Sequence, residues 1–254
     1  MTKTHKKADQ YNDPNHNYQK YWLGRDYEHQ AEVMAFGKLL SGKHFKHAVD
    51  IGGGFGRLSV ELEKYADKVT LAEPSQQQLD IAKDFLKDNK EIERKLMQAD
   101  DLKYKDGEID LVTMIRVMHH LPDPSSEFNE ISRVLSEDGL AIIEVANYMH
   151  FRNRIKHLTK GTKMPLEPVD IRSKKFKTDD EIAFVNHNPK TVTKQLAHAG
   201  LRVERILSVS NLRSTKLKQT VPMNVMLAIE GILQPALSKT FFGPSIFFLV
   251  SKAS

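Results

Sequence analysis

Short apolar runs of strand length recur along this chain, and amphipathic stretches of helix length separate most of them. The first run is Ala48, Val49 and Ile51, interrupted by one acid, Asp50. Lys68 to Ala72, Lys95 to Ala99, Ile109 to Ile115 and Leu140 to Ala146 follow. The run at 109–115 (IDLVTMI) is almost continuously apolar, as a strand covered on both faces of a parallel sheet should be. Between these runs, Leu58, Leu62 and Tyr65 line one face of a short helix. Leu79, Ala82, Phe85 and Leu86 line a second, which opens on a Ser75 cap, and Phe128, Ile131 and Leu135 a third, announced by Asp123 and Pro124. Asn188 and Pro189 repeat the cap and first-turn pair before Val192, Leu196 and Ala199, and Gly200 stops that helix. Leu201 to Val209 alternates, Pro222 to Leu237 is helical, and Gly243-Pro244 introduces a seventh strand, Ser245 to Lys252. Strand alternating with helix predicts an α/β fold around a parallel sheet.

The first strand ends in a glycine turn, HAVDIGGGFGRL from His47 to Leu58, with a helix directly behind it. Glycine reaches positive φ without steric cost, and its missing Cβ lets a ligand lie against the backbone. The helix beyond offers unpaired N–H groups and the positive end of its dipole. Such a turn suits a small polar ligand at the C-terminal edge of a parallel sheet. Dinucleotide binding requires G-x-G-x-x-G, and neither register here fits: Arg57 or Ser59 falls where the third glycine belongs. The spacing reads instead as acid-x-Gly-x-Gly-x-Gly, namely Asp50, Gly52, Gly54 and Gly56.

That motif resembles the first motif of class I methyltransferases that use S-adenosylmethionine (SAM). The resemblance implies a Rossmann-like, doubly wound seven-stranded sheet with helices on both faces, mostly parallel, its last strand antiparallel between the fifth and sixth. It places Asp50 near the methionine moiety, Glu73 on the ribose hydroxyls, Gln78 near the adenine, Asp100 on the adenine amino group and the Asp101 backbone on a ring nitrogen. Arg116 would also border the cofactor. Residues 116–124, RVMHHLPDP, look like the signature that follows the fourth strand in the small-molecule branch, with Met118 in place of the usual leucine. His119 and His120 are the candidate general bases there; a structural role beside the cofactor is the alternative. Tyr21, Trp22 and Arg25 could close over the cofactor, with Arg25 pairing its carboxylate, or belong to an ordinary helix packed on the sheet. Asn147 and Tyr148, at the end of the fifth strand, would face the substrate.

The expected organisation is a disordered basic tail (1–17), an N-terminal helical segment and cofactor lid (18–45), a SAM-binding core (46–150), a basic substrate lid or insertion (151–187) and the C-terminal part of the same domain (188–254). The insertion is irregular and rich in Lys and Arg; a solvated face would look the same. No run approaches the ~18 to 20 apolar residues that cross a bilayer, and no signal peptide is visible, so neither a membrane partner nor export is expected. The chain has no cysteine, which removes disulfides and thiolate metal sites and fits a reducing cytoplasm. Its histidines show no metal-ligand spacing, so no metal is expected. A net charge of +5 is mild: it permits an acidic substrate or nucleic acid without demanding either.

These features point to transfer of a methyl group from SAM, leaving S-adenosylhomocysteine (SAH), to an O, N or C acceptor on a small metabolite, by a monomer or homodimer; the basic lid suits an anionic acceptor. An RNA or protein methyltransferase and a non-catalytic SAM- or SAH-binding module stay open, and a nicotinamide dehydrogenase is a distant further reading. The chain lacks the Asn-Pro-Pro-Tyr or Asp-Pro-Pro-Tyr sequence of enzymes that modify DNA amino groups, and it has no cysteine for cytosine-C5 or uridine chemistry.

Overall fold

The computed structural model describes residues 10–13, 18–173 and 182–253. A 3-10 turn at Gln10–Asn12 precedes α1 (Tyr18–Tyr21) and α2 (Asp26–Leu39). Strand and helix then alternate through β1 (Phe45–Ile51), α3 (Ser59–Leu62), β2 (Ala66–Glu73), α4 (Gln76–Phe85), β3 (Ile92–Leu96), β4 (Ile109–Met114), α5 (Ser125–Val134) and β5 (Leu135–Ala146). Next come α6 (Phe151–Thr159) and the short strands β6 (Val169–Asp170) and β7 (Val185–Asn186). The chain continues through α7 (Pro189–His198), β8 (Leu201–Val209), α8 (Thr215–Thr220), α9 (Met223–Ala236) and β9 (Ser245–Lys252).

The main sheet has seven strands in the order β3-β2-β1-β4-β5-β9-β8. β1 pairs parallel with both β2 and β4, and β9 runs antiparallel to both β5 and β8. This is the doubly wound sheet expected, with the late strand inserted as the resemblance implies. Chain order reverses between β1 and β4, and a crevice opens there at the carboxyl ends of the strands. Period-two alternation feeds both faces: on β9, Phe247 joins the core layer with Phe36 and Leu71, while Phe248 joins the layer with Phe128 and Ile143.

Several local expectations shift. β3 occupies Ile92–Leu96 and not 95–99, because it pairs with Val69 to Glu73 of β2 and buries only Ile92 on the sheet edge. The third predicted helix begins at Ser125, with the Asp123 carboxylate accepting from the Ser125 backbone N–H at 3.1 Å and from its hydroxyl at 2.6 Å. Ser75 and Asn188 cap α4 and α7 as predicted. The expected tail contains an ordered turn: the Ser75 hydroxyl donates to the Tyr11 carbonyl at 2.8 Å. The rest of that tail, residues 1–9 and 14–17, lies outside the described residues, as does 174–181 of the insertion. Within the insertion, 151–159 is helical where no periodic element was expected.

The N-terminal helices are fastened to the C-terminal part of the chain by buried polar groups. Glu230 on α9 is 0 % exposed and accepts from the Tyr27 hydroxyl at 2.7 Å, the Ser210 N–H at 2.8 Å and the Asn211 N–H at 3.0 Å. Burial and the Glu230 carboxylate push the Tyr27 phenol far above its ordinary range. The loop after β8 is thereby fixed on the same edge as the crevice.

Candidate active site

The glycine turn begins where β1 stops. Gly52 and Gly54 have φ of +62° and +61°. A Cβ at Gly52 would sit 2.5 Å from a Val117 methyl, and one at Gly54 would sit 3.3 Å from the Tyr18 ring. Glycine is therefore required at 52 by the close approach of the loop after β4, and at 54 by backbone conformation and the aromatic strap above it. Gly56 also has positive φ.

The Asp50 carboxylate points into the protein. It is 1 % exposed and accepts from the Ser59 hydroxyl at 2.7 Å and the Thr113 hydroxyl at 2.8 Å, which ties β1 to α3 and β4 beneath the turn. Burial pushes its carboxyl up, and the two hydroxyls oppose that shift. Glu73, at the end of β2, accepts from the Gly54 N–H at 2.9 Å with one oxygen and from the Ser75 N–H at 3.0 Å with the other. It locks the turn to the neighbouring strand, and each carboxylate oxygen has more than one lone-pair direction for further donors. Gln78 is fully buried on α4; its amide nitrogen donates to the Tyr11 carbonyl at 3.4 Å, and its Oε1 has no partner among the described residues. Asp100 is exposed at the end of this edge, and the Asp101 side chain is committed to an ion pair with Lys103.

Tyr18, Trp22, Asp50, Phe55, Arg57 and Arg116 are among the residues that line the crevice between turn and strap. Arg57 and Arg116 pair with the same carboxylate, Glu32 of α2, each at 2.6 Å. Glu32 is 1 % exposed. The Trp22 ring lies 3.5 Å from the Arg57 guanidinium and 4.7 Å from that of Arg116, so the indole covers both cations. Burial works against the charge of Arg116, but Glu32 and Glu144 outweigh it and hold its guanidinium above the ordinary value; for Arg57 burial wins and the value falls. Arg116 adopts φ +61°, and its N–H donates to Glu144 at 3.1 Å, which turns the chain sharply at the end of β4.

The N-terminal segment does lie over the crevice, with an inner and an outer layer. Tyr18 and Trp22 face inward; Tyr21 stacks on Tyr18 from outside at 5.7 Å, and Arg25 sits 3.8 Å from the Tyr21 ring. Arg25 and Tyr21, expected at the cofactor, thus form the outer layer, and the arginines that face the crevice are Arg57 and Arg116. Arg57 adjoins the glycine motif and was the available clue; its partner Glu32 lies 25 residues away, beyond any local pattern.

His119 and His120 occupy a 3-10 turn after β4 and differ in their surroundings. The Ala183 carbonyl can only accept, so His120 donates to it through Nδ1 at 3.0 Å, which leaves Nε2 to accept from the Tyr11 hydroxyl at 2.8 Å. Both nitrogens of His120 therefore join segments of the chain. His119 packs against Phe184 with ring centroids 4.7 Å apart, and desolvation, reinforced by His120 and Arg116, holds its imidazole well below the ordinary value. Burial thus favours its neutral form. Asn147, expected to face the substrate, is structural: it is 0 % exposed and donates to the Phe241 and Gly243 carbonyls at 2.7 and 2.6 Å. No cluster of metal-ligating side chains occurs among the described residues.

Residues 49–143 match the family described as "Methyltransferase domain". A methyltransferase-named protein of Dictyostelium discoideum is 36 % identical over 106 residues, covering 42 % of this chain and 38 % of its own length. The chain thus spans less than two fifths of that relative. A solved Thermotoga maritima structure, described as a SAM-dependent methyltransferase and possible histamine N-methyltransferase, is similar with a TM-score of 0.63 and 20 % identity, over 92 % of this chain and 94 % of that one. The Burkholderia thailandensis 1,6-didemethyltoxoflavin N1-methyltransferase, solved with SAH bound, has a TM-score of 0.56 and 13 % identity, covering 93 % and 84 % of the two chains.

Proposed function

We propose that this chain, which carries a class I SAM-dependent methyltransferase domain, moves the methyl group of SAM to an oxygen or nitrogen of a small acceptor. One observation carries the reading: the glycine turn at the β1/β4 switch point opens on a crevice where two guanidiniums share a single buried carboxylate. That surplus of positive charge fits the carboxylate of an amino-acid ligand, and the Gln78 Oε1 beyond Glu73, without a partner among the described residues, fits a donor on its nucleoside end.

SAM supplies a methyl group on a sulfonium leaving group, so the chain's own work is binding, alignment and exclusion of water. Arg57 and Arg116 hold the carboxylate end, Glu73 the ribose hydroxyls, and Gln78 with Asp100 the adenine side. Asp50 acts from beneath by fixing the turn. The Tyr18, Trp22 and Phe55 rings keep water out of the crevice. Alignment of nucleophile and methyl is worth ~7 to 11 kcal/mol of barrier in favourable cases. His119, neutral and just beyond β4, takes the acceptor's proton, while His120 holds the loop. An anionic acceptor is favoured by the cations on the same edge, where Arg213 lies within electrostatic reach of Arg116.

Thermal unfolding with added SAH or NAD tests the cofactor assignment. A ligand at a hundred times its dissociation constant contributes ~2.7 kcal/mol, and each kcal/mol moves the midpoint by roughly 2 to 4 °C at this chain length. SAH should raise it by several degrees and NAD should leave it unchanged; the reverse result would refute the reading.

A further inference from the structure

Helix α6 stands apart from every longer helix of the fold because none of its residues is buried. Phe151, Ile155 and Leu158 are 38, 54 and 82 % exposed. Their spacing of four and three residues puts them on one face. The remaining positions are polar and cationic: Arg152, Arg154, Lys156 and His157 lie on the helix, Lys160 and Lys163 just beyond it, and no acid occurs from Phe151 to Leu166.

The helix is held to the body by its first turn. The Phe151 N–H donates to the Phe242 carbonyl at 3.1 Å, and the two rings stack at 4.8 Å. Arg154 donates to the Met149 carbonyl at 2.5 Å and to the Thr240 carbonyl. The side chains of Ile155, Lys156 and Leu158 point into solvent beyond those ties. The helix leaves β5 after four residues, on the edge of the sheet that carries the crevice.

We propose that α6 is an interfacial helix that docks on an anionic phospholipid surface, with Phe151, Ile155 and Leu158 entering the boundary between headgroups and acyl chains and Arg152, Lys156, Lys160 and Lys163 lying among the phosphates. An apolar stripe backed by a polar face whose charged residues are all cationic is the composition this mode requires. A protein partner fits less well. Three side chains on a nine-residue helix fall far short of the roughly 800 Å² per partner of a stable protein interface. The expectation of no membrane partner rested on the lack of a spanning run, and no described helix is long and apolar enough to cross a bilayer. An interfacial helix needs neither that length nor that hydropathy. This inference does not depend on the methyl-transfer reading.

Co-sedimentation of the full chain with vesicles provides the test. The protein should pellet with vesicles of equal parts phosphatidylcholine and phosphatidylglycerol, remain in solution with phosphatidylcholine alone, and be released by salt. The double variant Ile155→Ser, Leu158→Ser should bind about a hundredfold more weakly, since burial of each apolar side chain carries about a tenfold factor. Lys156→Glu with Lys160→Glu should lose binding to a similar extent. Both variants should keep the wild-type circular dichroism and thermal midpoint, because no buried group is altered. Equal binding to both vesicle types, or undiminished binding by the serine variant, would overturn the proposal. So would failure to bind vesicles together with self-association of the wild type, but not the serine variant, on size exclusion; that result would give the face to a second copy of the chain.

Discussion

On the glycine-turn flank of the ligand edge, Asp50, Glu32 and Glu73 are 1, 1 and 5 % exposed, and each holds two groups that lie far apart in sequence. On the flank beyond β5, α6 buries nothing, and two-residue strands β6 and β7 are the only pairing within the insertion among the described residues. One flank stores its stability in desolvated charge, where removing a partner strands another. On the other, α6 is tied down through its first turn, by the Phe242 and Thr240 carbonyls, while the Ile155, Lys156 and Leu158 side chains face outward.

The largest effect should come from breaking the first flank at Glu32. Glu32→Ala leaves the Arg57 and Arg116 guanidiniums without their shared carboxylate, and loss of one partner from a buried ion pair costs about 3–5 kcal/mol. Urea unfolding should register it as a fall in midpoint, whereas the α6 serine variant should unfold where the wild type does. Next in size is Gly54→Asp, which places a side chain on a residue at φ +61° beneath Tyr18 and an anion beside Glu73. It should abolish the several-degree stabilisation by SAH; persistence of that shift would show that the turn is not the binding surface.

The smallest effect sharpens the contrast through pH. Burial lowers His187, which is 1 % exposed and donates to the Met118 carbonyl at 2.9 Å, and desolvation lowers His119. Below about pH 6.5 the unfolded chain takes up protons that these native histidines refuse, so stability falls as pH drops through that value. Each contributes at most about 1.4 kcal/mol per pH unit. Asp50, whose value is raised, acts in the opposite sense and only at lower pH, between its ordinary and its native value. The thermal midpoint should therefore decline from pH 7 to pH 5.5, and His187→Asn should flatten that slope; an unaltered slope would show that His187 is not the group responsible.

Much of the sheet and its motif was legible because the information is local. Asp50 to Gly56, the continuous run at 109–114 and the caps at Ser75 and Asn188 each declare a strand end or a helix start within a few residues. β3 starts before the position its apolar pattern suggests because IERKL buries only Ile92, while Leu96 at its end and Met97 beyond it draw the pattern C-terminally. The helix α6 was missed for the related reason that its three apolar positions are spread among cations and face outward. The Glu32 pairing joins residues 25 and 84 positions apart, which no window of sequence displays. The different surroundings of His119 and His120 depend on Phe184, Ala183 and Tyr11, which lie on either side of them in the chain.

The placement of β9 bears on how the molecule is made. β5 and β8 are neighbours only through β9, which is the last of the sheet's strands to be synthesised. Until it threads between them, β5 presents a row of unpaired backbone N–H and C=O groups, open to any other nascent strand. Completion of the sheet accordingly waits on translation of β9, well after the strands that carry the glycine turn have left the ribosome.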